Sequence, residues 1–319
     1  MFKIVVFLIL ALSLNAKELM DIYRMEGIKA VEQELEKNLR DVNFWKKYLE
    51  KRNVEYGYYE YNKYVILAEK ENKELSIFEN LEDDYKLISK EKMIIGENSG
   101  DKLLEGDKKT PEGSYDLLQK KTGLDQFYGP FALVTSYPNS FDQSLNKKGH
   151  GIWIHGMPLN GDRESFTQGC LAIDNERLKS LDSNINLKKT VLITSHNELK
   201  KATKDDIAII LSSIYKWKDA WKYSNIEEYL SFYSKDFKRA DRSDFNTFSN
   251  QKRQIFAKNE NKTINLFNID ISPYPNSLDK TMYRVLMDEE YVSPSVQFYG
   301  KKELFVEVSN NKLQILTED

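Results

Sequence analysis

Cysteine is almost missing from this chain of 319 residues: Cys170 stands alone, with only three histidines beside it. One thiol cannot form an intrachain disulfide, and this set of residues gives no plausible zinc spacing and no H-E-x-x-H, so no metal is expected. P-loop and G-x-G-x-x-G patterns are also absent, and no cofactor is required. Seven prolines and fourteen glycines are too few for extended disorder, while a hydrophobic share of 40% suffices for real cores. Neither sign of charge dominates. A net charge of −3 gives no reason to expect a nucleic-acid partner, and the pairs Lys108-Lys109, Lys120-Lys121 and Lys147-Lys148 read as solvated surface.

The one sustained apolar run is at the start. Met1 to Ala16 has a single basic residue, an apolar core and a small residue before Lys17, the pattern of a secretory signal over 1–16. The run is too short for a stable span, so none is expected after signal removal. Leu14 is larger than the usual residue three before the cut, which leaves an uncleaved anchor as the alternative. Exported proteins normally pair their cysteines, so a single Cys suggests a reactive thiol or an intermolecular bridge.

Three textures follow. Over 17–56 the apolar positions Ile22, Met25, Ile28, Val31, Leu35, Leu39, Val42, Trp45 and Leu49 fall three or four apart, which predicts helices. So small a helical region must pack on the rest of the chain or on a second copy, the route to a homodimer. Over 57–199 the runs Tyr64–Leu67, Leu75–Phe78, Met93–Ile95, Phe131–Val134, Gly151–Ile154 and Thr190–Thr194 predict a mostly β domain. Over 200–319 a helix with Ile207, Ile210, Leu211, Ile214, Trp217 and Trp221 on one face precedes strands at Thr263–Ile271, Thr281–Met287, Ser295–Tyr299, Glu303–Val308 and Leu313–Leu316. The fold class is α+β.

Cys170 and His155 lie in the middle stretch. A lone Cys is most often a buried hydrophobe and a lone His a satisfied polar residue, but three features favour chemistry. The thiol is the only one in an exported chain. Gly169 beside it lets backbone N–H groups of Gly169 and Cys170 approach a carbonyl oxygen as an oxyanion hole. Asp174 and Asn175 can cap a helix carrying Leu178 and Leu181, whose N-terminus, if aimed at the thiol, favours thiolate. His150 and His196 lack comparable context, and His196 reads as surface.

The H-G step at His155-Gly156 followed by Thr167-Gln168-Gly169-Cys170 resembles the catalytic signature of YkuD-type L,D-transpeptidases, which act on peptidoglycan stem peptides. The step Thr110-Pro111-Glu112-Gly113-Ser114-Tyr115 is similar to the segment flanking the substrate cleft in that family; from the residues alone it is a turn. Trp217 to Phe237 resembles the helical opening of NTF2-like domains. The resemblance implies Cys170 as nucleophile, His155 as base, and the carbonyl of Gly156 as the group orienting the imidazole. It further implies substrate contacts from Trp153, Thr167, Gln168, Gly113, Tyr115 and Tyr137, of which Trp153 and Tyr137 read equally as core. The family's frequent S-H-G-C-hydrophobic-Arg run is altered here: Gln168 replaces the His and Ala172 the Arg, which bears on acceptor binding. The whole layout, a helical region followed by YkuD-like and NTF2-like domains, resembles periplasmic L,D-carboxypeptidases that trim stem tetrapeptides in curved and helical Gram-negative bacteria. Muropeptides are then the partners, and hydrolysis is expected over transpeptidation or over a non-catalytic wall-binding scaffold.

Overall fold

Residues 16–319 are described by the computed structural model, so the expected export signal lies outside them but for its last residue. Helix α1 (residues 16–26) leads into α2 (Ile28–Leu39) and α3 (Val42–Tyr48). Asp41 caps α3 by accepting the Asn43 N–H at 2.9 Å. The apolar spacing seen in the sequence has different outcomes along this region. Helix α2 buries none of its residues, whereas Trp45 and Leu49 at α3 are 5% and 0% exposed.

Alternating residues then build two sheets. Strand β1 (Tyr58–Tyr59) is followed by β2 (Tyr64–Glu69), β3 (Glu74–Asn80), β4 (Tyr85–Ile94), β5 (Gly113–Lys121) and β6 (Ala132–Thr135), with the short helix α4 (Ser140–Ser144) after them. Next come β7 (Trp153–His155), β8 (Leu171–Ile173), α5 (Asn175–Asn184) and β9 (Thr190–Ser195). Strands β2 to β9 close into a barrel of order β2-β3-β4-β8-β7-β6-β5-β9, with β9 parallel to β2 through the pair Tyr64↔Thr190. Its core holds Ile66, Leu75, Ile77, Leu133, Ile154, Leu171, Ile173 and Leu192.

The C-terminal unit opens with α6 (Lys204–Lys222), capped by Thr203 accepting from Asp206 N at 3.0 Å. Helices α7 (Ile226–Ser231) and α8 (Phe245–Phe256) follow, then β10 (Thr263–Pro273), β11 (Met282–Val292), β12 (Gln297–Ser309) and β13 (Lys312–Glu318). The predicted face of α6 is buried against this antiparallel sheet. Segments Ser295–Tyr299 and Glu303–Val308, expected as separate strands, are one: β12 runs through Gly300-Lys301-Lys302 because β11 pairs with it from Val292↔Gln297 to Met282↔Glu307.

The N-terminal residues belong to this second unit. Strand β1 pairs with β10, Tyr58↔Ile271, and completes the five-stranded sheet. Trp45 stacks on Tyr215 at 5.9 Å and donates to Leu39 O at 2.7 Å; Arg40 pairs with Asp219, and Lys222 with Glu36 at 3.1 Å. The chain therefore crosses into the barrel only after Asn62.

The seam between units is a polar interior. Arg284 on β11 donates two N–H groups to the Asp116 carboxylate on β5 at 2.8 and 2.6 Å, and its Nε to Glu303 at 2.6 Å. Phe141 stacks on Phe305 at 5.4 Å beside Tyr274. Lys147, read from sequence as surface, is buried here, paired with Asp101 at 2.6 Å and Asp142 at 2.8 Å. The two carboxylates repay the cost of burying that ammonium.

Candidate active site

Strands β7 and β8 run parallel, with Ile154↔Leu171 and His155↔Ala172 as partners. Side chains alternate between faces. Ile154, Leu171 and Ile173 therefore enter the barrel core, and Trp153, His155, Cys170 and Ala172 share the opposite face. Continuing the register by one residue sets Cys170 beside Trp153, diagonal to His155, a separation that long side chains bridge. Fifteen residues apart in sequence, base and nucleophile become near neighbours through one strand pairing.

The imidazole is fixed. His155 Nδ1 lies 2.7 Å from the carbonyl oxygen of Gly156. A carbonyl only accepts, so Nδ1 carries the proton and Nε2 is left with a free lone pair. The ring is 1% exposed, covered by Tyr128, whose ring meets it edge-on at 5.2 Å and also touches Trp153 at 5.3 Å. Burial pulls the imidazole down to about 4, with the nearby Arg163 charge acting in the same direction, so the ring is neutral at pH 7.

Cys170 is half-buried and its thiol donates to Gly151 O at 3.5 Å. Burial raises the thiol above its ordinary value, outweighing the opposing effects of the Trp153 amide and the Arg163 charge. The resting pair is thus neutral thiol and neutral imidazole, and the proton moves during attack. The helix-dipole route expected from sequence does not operate. Asp174 does cap α5, accepting from Glu176 N at 2.9 Å and Arg177 N at 3.2 Å, but the whole of β8 separates that cap from the thiol, roughly 13 Å of extended chain.

Glycine at 156 and 169 is dictated by close approach. A methyl group on Gly156 would collide with Asn175 Oδ1, which accepts the Met157 N–H at 2.9 Å. Gly169 has φ of +127°, and a side chain there would meet Lys109 O at 2.7 Å.

Other residues singled out from sequence fall differently. Thr167 is buried and shapes the loop: its hydroxyl donates to Cys170 O at 2.7 Å and accepts the Gly169 N–H at 3.0 Å. The Gly169 N–H is therefore occupied, which leaves the Cys170 amide of the two expected oxyanion donors. Tyr115 and Tyr137 are 1% and 4% exposed, with hydroxyls donating to Glu112 O and Lys148 O; they are core, not cleft walls. Gly113 faces Tyr274 across the seam. Trp153 is half-buried under Lys121, whose ammonium sits 5.2 Å from the ring, and Gln168 is exposed. Of the six, these two remain open to a substrate. His196 is 43% exposed at its side chain, in keeping with the surface reading.

Sequence reasoning passed over Lys70, Tyr128 and Arg163, and took Asn175 only as a helix cap. Buried Lys70 donates to Gly100 O, Thr110 O and Glu112 Oε1 at 2.7, 3.0 and 2.8 Å. Thr110 in turn donates to Gly169 O at 3.0 Å, so the Thr110–Gly113 turn braces the nucleophile's loop. Arg163 had one available signal: it is the only basic residue between His155 and Cys170. Among the described residues no three His, Cys, Asp or Glu side chains gather as a metal site.

Comparison with known proteins agrees with this geometry. Residues 63–193 match the model of the L,D-transpeptidase catalytic domain, and residues 209–319 that of the Cds6 C-terminal NTF2-like domain. No curated protein matches the chain. The crystal structure of the helical cell shape determining protein Pgp2 from Campylobacter jejuni is 39% identical, with a TM-score of 0.83, covering 88% of this chain and 100% of that one. A point mutant of the same protein gives 38%, 0.84, 88% and 99%. Bd1075 of Bdellovibrio bacteriovorus is 28% identical with a TM-score of 0.65, covering 83% and 96%. The chain belongs to the family of cell-shape proteins that join an L,D-transpeptidase catalytic domain to a C-terminal NTF2-like domain.

Proposed function

We propose that this protein is a periplasmic L,D-carboxypeptidase that removes the terminal D-Ala from peptidoglycan stem tetrapeptides by cysteine acyl transfer, and that it thereby affects cell shape. The observation that carries this reading is the imidazole held through Nδ1 by Gly156 O, on the same strand face as Cys170. That arrangement leaves Nε2 as base. The thiol turns from Gly151 O to Nε2, gives up its proton and attacks the carbonyl of the L,D bond. The Cys170 N–H stabilises the oxyanion, His155 returns the proton to the leaving D-Ala amine, and water resolves the thioester. Hydrolysis is favoured over transfer to a second stem because Ala172, fully buried, stands where acceptor-using relatives carry Arg.

Export by residues 1–16 and a boundary at 200 belong to the same reading, while the boundary expected at 57 moves to after Asn62, because Tyr58-Tyr59 pair with β10. So does a homodimer through α1 and α2, whose Met20, Tyr23, Met25, Ile28 and Leu35 are exposed; sedimentation at rising concentration tests it. For the activity, mature protein is incubated with purified muropeptides. Tripeptide plus free D-Ala is the expected product, new crosslinked dimers would replace hydrolysis by transpeptidation, and no product from wild type would leave only the scaffold reading.

A further inference from the structure

The loop between base and nucleophile carries an unpaired cation. Arg163 lies with its guanidinium 4.7 Å above the Phe127 ring, and Nη2 donates to Phe166 O at 3.2 Å. Nε and Nη1 are closed off from solvent and meet no acceptor among the described residues. Its sequence neighbours Asp162 and Glu164 are exposed and leave these donors unmatched. Buried guanidinium donors are ordinarily paired, because an enclosed N–H without an acceptor loses its hydration and regains nothing. On the strand face itself Ala172 fills the position two after the thiol, and the nearby lysines are otherwise engaged: Lys121 lies over Trp153, and Lys102 donates to Asp107 at 2.7 Å.

The cation is also on a definite side of the site. Phe127, over which it stacks, packs edge-on against Tyr128 at 5.6 Å, and Tyr128 in turn covers His155. Arg163, Phe127, Tyr128 and the imidazole thus form one wall. In cysteine acyl transfer the imidazole gives its proton to the leaving amine, so the leaving residue lies against that wall. When the leaving group is a single terminal amino acid, its carboxylate is two bonds from the scissile nitrogen. With one Nη2 hydrogen committed to Phe166 O, the other edge of the guanidinium plane offers two parallel N–H groups to such a carboxylate.

We propose that Arg163 is the specificity-determining residue of this site, binding the free carboxylate of the departing residue so that cleavage occurs at a peptide's C-terminal end and not within a chain. This rests on the acyl-transfer reading of Cys170 and His155. An internal peptide bond or a C-terminal amide presents no anion there and leaves the guanidinium unmatched.

Two measurements on the full chain separate this proposal from that reading. Alkylation of Cys170 by iodoacetate and by iodoacetamide, followed by intact mass, reports carboxylate binding without any turnover. Wild type should favour the anionic reagent relative to free cysteine. Arg163→Gln should lower the iodoacetate-to-iodoacetamide ratio by about ten- to a hundredfold, since a charged hydrogen bond is lost, and Arg163→Lys should restore part of it. An unchanged ratio in Arg163→Gln overturns the proposal. The second measurement compares kcat/KM for a tetrapeptide ending in D-Ala and for its C-terminal amide. Wild type should prefer the acid, and Arg163→Gln should lose that preference mainly through the acid substrate. Retained preference also overturns it. Should wild type turn over neither peptide while the alkylation ratio still falls in the variant, the carboxypeptidase reading fails and the carboxylate site stands.

Discussion

Replacing Gly156 by Ala tests whether the group orienting the base is held by the packing described above. The added methyl falls well inside contact distance of Asn175 Oδ1, with Pro130 Cδ at 3.0 Å and Gly129 Cα at 3.2 Å. Asn175 can swing away, but its oxygen then releases the Met157 N–H it accepts at 2.9 Å. Overpacking costs about 1–3 kcal/mol, and a half-buried amide left without an acceptor about 1–3 kcal/mol more. The single variant should therefore lose roughly 3 kcal/mol in urea denaturation and should also lose turnover, because Gly156 O, which holds His155 Nδ1, moves with the backbone. Asn175→Ala alone strands the same amide without the collision. In the double variant the collision with Oδ1 is gone and the amide is lost only once, so the combined destabilisation should fall short of the sum by about 1–3 kcal/mol. Pro130 and Gly129 keep the rescue partial. Additivity within about 0.5 kcal/mol would refute the argument, since it would mean that Asn175 does not determine the space at Gly156.

Cys170→Ala should abolish product formation with an unchanged thermal transition, and wild-type turnover in that variant would remove the nucleophile from the reading. With His155 at about 4 in the folded site, kcat/KM should fall only as pH drops through about 4, where the imidazole takes up a proton and stops being a base; an acid limb near 6.5 would mean that the ring is not desolvated. His155→Ala should lower turnover by about 10²- to 10⁴-fold yet leave the pH profile of Cys170 alkylation almost unmoved, because a neutral imidazole does not stabilise the resting thiolate. Arg284→Ala strands Asp116 and Glu303 at the seam and should cost about 3 kcal/mol, the lower end for a broken buried pair because the Asp116 side chain is 33% exposed; a loss below about 1 kcal/mol in denaturant titration would show that the seam does not need it.

Legibility from sequence followed the range of the interactions. Cys170 and His155 stood out because their residue types are rare, and α6 because its apolar positions repeat at the helical period over nineteen residues. Strand β5 was missed: its second half, Leu118 to Lys121, is exposed and carries Gln and Lys, so no apolar run marks it. Strand β8 is three residues long and exists because β4 and β7 flank it. The burial of Lys147 and the pairing of β1 with β10 are also non-local, since Asp101 lies 46 residues away and Ile271 is more than two hundred residues from Tyr58. The occupied Gly169 N–H depends on how Thr167 turns, a detail that loop composition does not specify.

These non-local contacts bear on what the C-terminal unit does. An NTF2-like unit that folded by itself could position wall material while the barrel performed the chemistry. In the structure its core is completed by Trp45 and Leu49 and its sheet by Tyr58-Tyr59, all from before the barrel. A piece cut at residue 200 would expose the faces that these residues cover. On its other side, Tyr274 packs against Gly113, and Ser272 Oγ lies 2.8 Å from Ser114 Oγ. Glu112, the residue before Gly113, is held by Lys70 and by Asp101, which accepts its N–H at 2.9 Å. Two residues earlier Thr110 donates to Gly169 O, next to the nucleophile. A continuous line of packed and hydrogen-bonded residues thus runs from the NTF2-like unit to the Cys170 loop. Such a line is a route and not proof of coupling, but it makes the barrel and the C-terminal unit one interlocked body. Loss of activity on deleting residues 200–319 would then report damage to the nucleophile's support as readily as loss of a binding module, so the two roles are separated by substitutions at Tyr274 and Arg284 and not by truncation.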